Sequence, residues 1–306
     1  MKTEHSGADP EFENNPDSCL RRKRAGAWMV FVMTVLSRGE ILRHLIAVLG
    51  EARLETSPFD HVRLSNVFPV SLYPMIIDNL PATGYYGQLK HSDAVLPSGL
   101  SARRKLELRP AQLRHLPDSQ RKFWMDIGAT LESPELESGF KALFTRALDQ
   151  RAIRDAKLRP VAMLLRDLGG YKISIHSDTF RKAITTQYYL PVDDSQLHLG
   201  TAFHTKNTRE CGFSKVKALD FSRNTGYAFP VTAESWHSVE PMKDSDGERN
   251  SLMLTYYVRQ GLLGETFIRL KRFMQDARTK LSGEGDQATS ELSRVMKRSA
   301  RNSASP

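Results

Sequence analysis

Cysteine is scarce in this chain of 306 residues, which has only Cys19 and Cys211. The two lie in unrelated parts of the sequence, so neither a disulfide framework nor a zinc site is indicated. A chain that needs no disulfides suits a reducing compartment, and we expect it in the cytoplasm. Internal repeats are also absent from the sequence, so no repeat architecture is expected.

Long apolar runs are missing as well. One apolar segment, residues 25–36, follows a basic cluster at residues 21–24. It is shorter than the roughly 20 residues that span a bilayer, and no small-x-small cleavage site follows it, as a signal peptide requires. We therefore expect no membrane association. Residues 1–32 are interpreted as a disordered extension or tag, with a native start near Met29 or Met33.

Negative charge is in deficit, because 35 Asp and Glu face 44 Lys and Arg and give a formal net charge of +9. Such an excess can indicate binding to nucleic acid or to an anionic membrane surface. Much of it, however, lies near the ends, in residues 21–24 and at Lys297, Arg298 and Arg301. We interpret these charges as solvated tails and do not expect a nucleic-acid partner.

Short β-prone segments fill the second half of the chain. An alternating run at residues 171–175 follows the turn signal Gly169-Gly170, and another at residues 182–190 ends at Pro191. Further strands are predicted at residues 199–204, 216–221, 227–230, from His237 onward, and at 251–258. Six or seven short strands separated by turns predict an antiparallel barrel or jelly roll.

Helical periodicity surrounds these strands. Helices are predicted at residues 39–53, 110–127, 134–156 and 264–281. We expect the N-terminal helices to pack against one sheet as a buttress. The predicted organisation is a single domain over residues 33–281, with helical and strand additions at 33–160, a jelly-roll core at about 161–260, a C-terminal helix at 264–281 and a disordered tail at 282–306.

Three polar residues stand out among the predicted strands. His176 and Asp178 are two residues apart at a strand edge, and His237 comes from a distant strand. Two imidazoles and one carboxylate can occupy one face of an octahedral Fe(II) ion and leave three positions open. Arg249, further along the chain, carries a guanidinium group, which suits a carboxylate ligand better than an ammonium does. The pattern predicts a non-haem iron site with a carboxylate co-substrate.

The order of these motifs resembles the Fe(II)/2-oxoglutarate-dependent dioxygenase superfamily, specifically its prolyl-hydroxylase-like branch, over residues 165–258. The shared pattern is His-x-Asp, a strand ending in Tyr-Tyr-Leu, a Gly-containing strand, a strand ending in Phe-Pro before the distal His, and an Arg opening the last strand. The resemblance implies an α+β fold that is mainly β, with a double-stranded β-helix (jelly-roll, cupin-like) core buttressed by N-terminal helices.

The resemblance also implies roles for individual residues. The Fe(II) ligands would be His176, Asp178 and His237. Arg249 would pair with the distal carboxylate of 2-oxoglutarate, Tyr189 would offer its hydroxyl to the same group, and Ser251 matches the last position of an Arg-x-Ser arrangement. With O2 as the other co-substrate, the chain would hydroxylate a C–H bond of a small molecule while converting 2-oxoglutarate to succinate. The carboxylate of Asp178 favours this outcome, or a desaturation or demethylation derived from it, over halogenation.

Several alternatives remain open at this point. Residues 199–202 read Leu-Gly-Thr-Ala where prolyl hydroxylases usually carry Gly-Gly-x-Leu, so the substrate class is not fixed. The chain could instead be a protein or nucleic-acid hydroxylase or demethylase, or a non-catalytic cupin-like binding protein. Tyr189 could be an ordinary core aromatic and Arg249 a solvated charge, while His198 and His204 are expected to be ordinary strand-edge residues. The sequence does not indicate the oligomeric state.

Overall fold

The computed structural model describes residues 36–89, 92–207 and 212–259. The six α-helices are α1 (Arg38–Glu51), α2 (Leu72–Asp78), α3 (Pro110–Leu113), α4 (Asp118–Leu131), α5 (Pro134–Leu143) and α6 (Thr145–Gln150). The strands are β1 (Leu54–Glu55), β2 (His61–Ser65), β3 (Gly87–Gln88), β4 (Arg103–Glu107), β5 (Leu158–Asp167), β6 (Ile173–His176), β7 (Lys182–Tyr189), β8 (Thr201–Asn207), β9 (Gly212–Ala218), β10 (Thr225–Pro230), β11 (Trp236–Val239) and β12 (Arg249–Val258). The predicted extension at 1–32, the C-terminal helix at 264–281, the tail at 282–306 and both cysteines lie outside the described residues.

Local sequence signals account for where the helices begin and end. Ser37 and Glu40 form a capping box at the start of α1, in which each side chain accepts from the other's backbone N–H. The predicted helix at 110–127 is divided into α3 and α4, because Pro117 lacks the N–H that a continuous helix needs and serves as the N-cap of α4. Within the described residues, no helix combines the length and the apolar character needed to cross a membrane.

The strands form two antiparallel sheets. The large sheet has the order β1-β2-β10-β7-β12-β5-β4-β3, and the small sheet has the order β6-β11-β8-β9. From β5 to β12 the chain passes back and forth between them: β5, β7, β10 and β12 lie in the large sheet and the other four in the small one. This alternation is the topology of a jelly roll. The predicted mainly β fold with a double-stranded β-helix core is therefore confirmed.

Apolar clusters cover both faces of the large sheet. On the outer face, α1, α4 and α5 contribute to one cluster together with residues of β5, β7 and β12, so the predicted helical buttress is confirmed. On the inner face, a second cluster rich in aromatic rings fills the space between the sheets. Its aromatic members are Phe59, Tyr171, Tyr189, Phe203, Phe221, Tyr227 and Phe229.

Strand boundaries differ from the sequence expectations in two informative places. β5 was not predicted as a strand, because it lies between β12 and β4 with both faces covered and reads as a nearly continuous buried run without alternation. The strand predicted at 216–221 is β9 (Gly212–Ala218), an edge strand whose side chains are mostly exposed and which therefore shows little apolar periodicity.

Candidate metal centre

The small sheet brings the two predicted histidine ligands together. β6 pairs with β11, and the pairing sets His176 directly opposite His237. Residues directly opposite in an antiparallel pair project to the same face, and the two ring centroids are 4.3 Å apart. Asp178 follows two residues after β6, and the ligand atoms of all three residues lie within 4.8 Å of one another. The fold thus assembles the complete predicted triad.

Backbone carbonyls fix both imidazoles in the form that binds a metal. His176 Nδ1 lies 2.9 Å from the carbonyl oxygen of Ser174, and His237 Nδ1 lies 3.0 Å from that of Ser235. A carbonyl oxygen only accepts, so each Nδ1 donates this hydrogen bond and each Nε2 is the ring nitrogen left for a metal. In metal sites of proteins, a hydrogen bond to the ring nitrogen that does not bind the metal commonly orients the histidine. The two imidazoles are therefore preset to bind a cation through Nε2.

Asp178 is held in its charged form. Lys182 Nζ donates to one carboxylate oxygen and Thr185 Oγ1 to the other, each at 2.6 Å. Burial by itself raises the pKa of Asp178, but the positive charge of Lys182, with further contributions from His237 and the two hydrogen bonds, lowers that pKa to about 2. The group is ionised at neutral pH, as a metal ligand must be.

His237 is held neutral by the same surroundings. Burial lowers its pKa to about 4, although the negative charge of Asp178 opposes the shift. A neutral imidazole next to an ionised carboxylate is the protonation state that a divalent cation needs. A metal ion binding to the triad at neutral pH would therefore displace no proton from Asp178 or His237.

The depressed pKa of His237 has a measurable consequence for the chelator-treated protein. Between the ordinary value of 6.5 and about 4, the unfolded chain binds a proton at this histidine that the folded chain does not. The free energy of unfolding should therefore fall as pH is lowered through that window, with roughly 1–3 kcal/mol from His237. We expect His237→Gln to show a shallower pH dependence in urea titrations at pH 4–7. An identical slope in the two proteins would contradict this assignment.

Two other histidines have partners of their own. His198 Nε2 lies 3.2 Å from Asp246 Oδ1, and His204 Nε2 lies 2.8 Å from Ser238 Oγ. Among the described residues, the triad is the one group in which three His, Cys, Asp or Glu ligand atoms converge. A prominent surface cavity of about 480 Å³ contains none of the triad residues. The donor set of the triad, two imidazoles and one carboxylate, suits a divalent metal ion.

Arg249 opens β12 and is fully buried, so it is not a solvated charge. Its Nη1 donates to Asp167 Oδ2 at 2.7 Å and its Nε to the Leu199 carbonyl oxygen at 2.8 Å. Its guanidinium carbon lies 4.5 Å from the centre of the Phe221 ring. The remaining nitrogen, Nη2, is buried and has no hydrogen-bond partner in the part of the chain that the structure describes. A planar donor of this kind suits a ligand carboxylate.

A second arginine shares the same buried carboxylate. Arg103 donates through Nε to Asp167 Oδ1 at 2.6 Å and through Nη2 to Oδ2 at 2.9 Å. The pairing of β5 with both neighbours sets Asp167 opposite Arg103 on one side and Arg249 on the other. Two guanidinium groups and one carboxylate leave this cluster with one net positive charge. The cluster is therefore electrostatically suited to one negatively charged group.

Tyr189 and Ser251, the other predicted co-substrate residues, belong to a chain of internal hydrogen bonds. The Tyr189 hydroxyl donates to Thr201 Oγ1 at 2.9 Å and accepts from the Thr201 N–H at 3.1 Å. Thr201 Oγ1 donates to the Tyr227 hydroxyl, which donates to Gln187 Oε1, and Gln187 Nε2 donates to Ser251 Oγ. Both predicted residues are thus in the barrel interior, with their polar atoms already engaged by protein groups.

Sequence reasoning missed the residues that support the predicted ones. Lys182 and Thr185 hold Asp178, while Arg103 and Asp167 hold Arg249. One signal was available: Asp167 is an acidic residue at the end of an apolar run, where an uncompensated charge is costly and a partner is required. The pairing of Arg103 with it depends on strand register and has no local signature.

Comparisons with known proteins find similar solved structures at low sequence identity. No family model matches the chain, and no curated protein sequence matches it. Similar solved structures include a Pseudomonas putida prolyl-4-hydroxylase, 13% identical with a TM-score of 0.43, which covers 72% of this chain and 100% of that one. Another is a Trichoplax adhaerens prolyl hydroxylase in complex with a hypoxia-inducible-factor peptide fragment, which is 14% identical with a TM-score of 0.41. The match covers 72% of this chain and 90% of that one. A third is the non-heme alpha-ketoglutarate-dependent epimerase SnoN from nogalamycin biosynthesis, which is 13% identical with a TM-score of 0.41. The match covers 71% of this chain and 83% of that one.

Proposed function

We propose that this chain is an Fe(II)- and 2-oxoglutarate-dependent oxygenase that hydroxylates a C–H bond of a small molecule. The observation that carries the proposal is the combination of a two-histidine, one-carboxylate cluster with a buried arginine that has an unused donor, inside one jelly roll. The first feature is the ligand set of non-haem iron oxygenases, and the second suits the far carboxylate of a keto acid.

The donor set fits Fe(II). His176 and His237 would each bind through Nε2 and Asp178 through its ionised carboxylate, and these three ligands would leave positions on Fe(II) for the co-substrates. When bound, Fe(II) with 2-oxoglutarate and O2 supplies an oxidation that yields succinate, CO2 and a hydroxylated substrate. The chain supplies the geometry: Ser174 and Ser235 orient the imidazoles, and Lys182 keeps the carboxylate ionised.

The barrel interior supports the co-substrate assignment. Arg249 is preset by its bonds to Asp167 and Leu199, so it loses little side-chain freedom when a carboxylate binds its free nitrogen. Two aromatic side chains of the inner cluster, Phe221 and Tyr189, lie with their ring centres 4.5 Å and 5.7 Å from the Arg249 guanidinium carbon and exclude water around it. In such surroundings a charge-assisted hydrogen bond is stronger than in water.

An apolar surface beside the triad supports a substrate that is apolar at the oxidised carbon. Thr185, which holds Asp178, pairs with Thr255 on β12, and Thr255 pairs with Val161 on β5. Side chains directly opposite across strands share a face of the sheet. Val161 belongs to an apolar cluster on this face, whose other members are Met163, Leu165, Met253 and Tyr257. We propose that this cluster contacts the substrate.

Release of succinate tests the proposal. We expect the protein supplied with Fe(II), 2-oxoglutarate and O2 to form succinate without added substrate, at a slow rate that exceeds that of Fe(II) in buffer. His176→Ala should reduce the rate to that of free iron, since it loses a metal ligand. If the iron-loaded wild-type protein forms no succinate above the buffer control, the chain is a binding protein and not an oxygenase.

A further inference from the structure

Two buried tyrosines of the inner cluster differ in how their hydroxyl groups are satisfied. Tyr171 and Tyr189 are each only 1% exposed. The Tyr189 hydroxyl uses both its donor and its acceptor capacity on Thr201. The Tyr171 hydroxyl, in contrast, has no hydrogen-bond partner within residues 36–89, 92–207 and 212–259. Burying a hydroxyl without a partner carries a free-energy cost, so a group of this kind in a binding pocket marks a place that a ligand completes.

Tyr171 is held by two backbone hydrogen bonds and by a contact of its ring with Arg103. Its backbone N–H donates to the Leu168 carbonyl at 3.0 Å, and its own carbonyl accepts from the Met242 N–H at 2.8 Å. The guanidinium carbon of Arg103 lies 4.3 Å from the ring centre, which is cation–π geometry. A ring held in this way presents its hydroxyl in one direction and loses little freedom on binding a ligand.

The second unsatisfied donor in this part of the barrel is Nη2 of Arg249. Arg103 links the two donors, since it stacks on Tyr171 and shares the Asp167 carboxylate with Arg249. The electrostatic environment of Tyr171 includes Arg103, Asp167 and Arg249, and burial raises the pKa of its hydroxyl well above the usual range. The hydroxyl therefore keeps its proton and remains a donor.

We propose that Tyr171 and Arg249 together bind the distal carboxylate of 2-oxoglutarate, and that Tyr189 has a structural role instead. The Tyr171 hydroxyl donates one hydrogen bond and Arg249 Nη2 donates another. The carboxylate also neutralises the single positive charge left by Arg103, Asp167 and Arg249. This inference rests on the proposed function, and it replaces the expectation from the sequence that Tyr189 is the hydroxyl donor.

Matched variants separate the two tyrosines, because Tyr171→Phe and Tyr189→Phe each remove a single hydroxyl. The probes are 2-oxoglutarate and 2-oxopentanoate, which has the same keto-acid head and lacks the distal carboxylate. Binding to the Fe(II)-loaded protein is measured by calorimetry without O2. We expect Tyr171→Phe to weaken the binding of 2-oxoglutarate about tenfold or more, which is the loss typical of a hydrogen bond to a charged group. The affinity for 2-oxopentanoate should stay within about twofold of the wild-type value.

Stability provides a second readout. Removing an unpartnered hydroxyl should leave the thermal midpoint of the ligand-free Tyr171→Phe protein equal to or above that of the wild type. Tyr189→Phe should lower the midpoint, because Thr201 loses its partner, and should leave the affinity for 2-oxoglutarate within about threefold. The iron content should be unchanged in both variants, since neither residue supplies a ligand atom to the triad.

Each other outcome overturns the assignment. Equal weakening of both keto acids by Tyr171→Phe would mean that the hydroxyl does not address the distal carboxylate. Wild-type affinity of Tyr171→Phe for 2-oxoglutarate would mean that the Tyr171 hydroxyl does not bind it. A loss of 2-oxoglutarate affinity in Tyr189→Phe that spares 2-oxopentanoate would give the role to Tyr189. If wild-type protein binds 2-oxoglutarate no better than 2-oxopentanoate, no distal carboxylate site exists. If it binds neither, the proposed function itself fails.

Discussion

Replacing His237 with alanine should remove the metal from the protein. The iron content is expected to fall from one ion per chain to near zero, with loss of succinate formation by at least about a hundredfold. The reason is that a site with three protein ligands loses one of them. This change is more severe than the loss of a group that only orients a ligand, which alone lowers metal affinity or activity about 10- to 100-fold. His176→Ala and Asp178→Ala should behave alike. Metal analysis after anaerobic loading and desalting measures the effect.

His198→Ala is the matched control for these variants. This histidine is more than half exposed and its partner is Asp246, so its loss should leave iron binding unchanged. The thermal midpoint of each variant shows whether it is folded. Iron at the wild-type level in all three triad variants would disprove the metal site. Loss of iron in His198→Ala would instead place the metal elsewhere.

Replacing Arg249 with methionine should raise the Michaelis constant for 2-oxoglutarate by about a hundredfold while iron stays bound. The methionine fills similar space but offers no donor, so a charge-assisted pair with the carboxylate is lost. Asp167 keeps both bonds to Arg103, which leaves no unpaired charge in the core. Arg249→Lys should also fail to restore wild-type behaviour, because one ammonium cannot replace the planar fork that contacts Asp167, Leu199 and the ligand.

Arg166→Met provides a control at a second buried arginine. Arg166 is 5% exposed and bonds to Asn250 and Thr83. Asp167, the partner of Arg249, is the next residue of the same strand. Because successive residues of a strand project to opposite faces, the Arg166 side chain lies on the other face of the sheet from the Asp167 and Arg249 pair. We expect Arg166→Met to lower stability and to leave the 2-oxoglutarate dependence near wild type. An unchanged dependence in Arg249→Met, or an equal change in both variants, would refute the role given to Arg249.

Much of the jelly roll was predictable because its strands are short and bounded by turns. The segments at β7, β10 and β12 were located from β-branched and aromatic residues between turn signals. β5 was not, since a strand covered on both faces lacks the alternation that identifies a half-buried one. The helix predicted at 134–156 is likewise two helices, α5 and α6, followed by the loop that leads into β5. In these cases the secondary structure depends on which other strands and helices cover the segment, and the sequence of the segment alone does not show them.

The convergence of His176, Asp178 and His237 was predictable from the sequence, and the surroundings of these residues were not. His176 and Asp178 are close in sequence, and His237 follows within an ordered set of motifs, so residue type and order suffice. Tyr171, Arg103 and Asp167 come together only through the register of β5 and the turn before β6. Tyr189 was predicted from its position in a motif. Its hydroxyl proved to be engaged by Thr201, a contact between two strands that sequence order does not reveal.

An anaerobic titration of the iron-loaded protein with 2-oxoglutarate tests the central claim most directly. A keto acid that chelates Fe(II) held by the triad gives a visible charge-transfer absorption, which free iron and 2-oxoglutarate do not give at the same concentrations. We expect this absorption to grow and saturate at one 2-oxoglutarate per iron, and to be absent in His237→Ala. Full iron loading without any absorption change on adding 2-oxoglutarate would contradict the assignment, because metal and co-substrate would then not share one site.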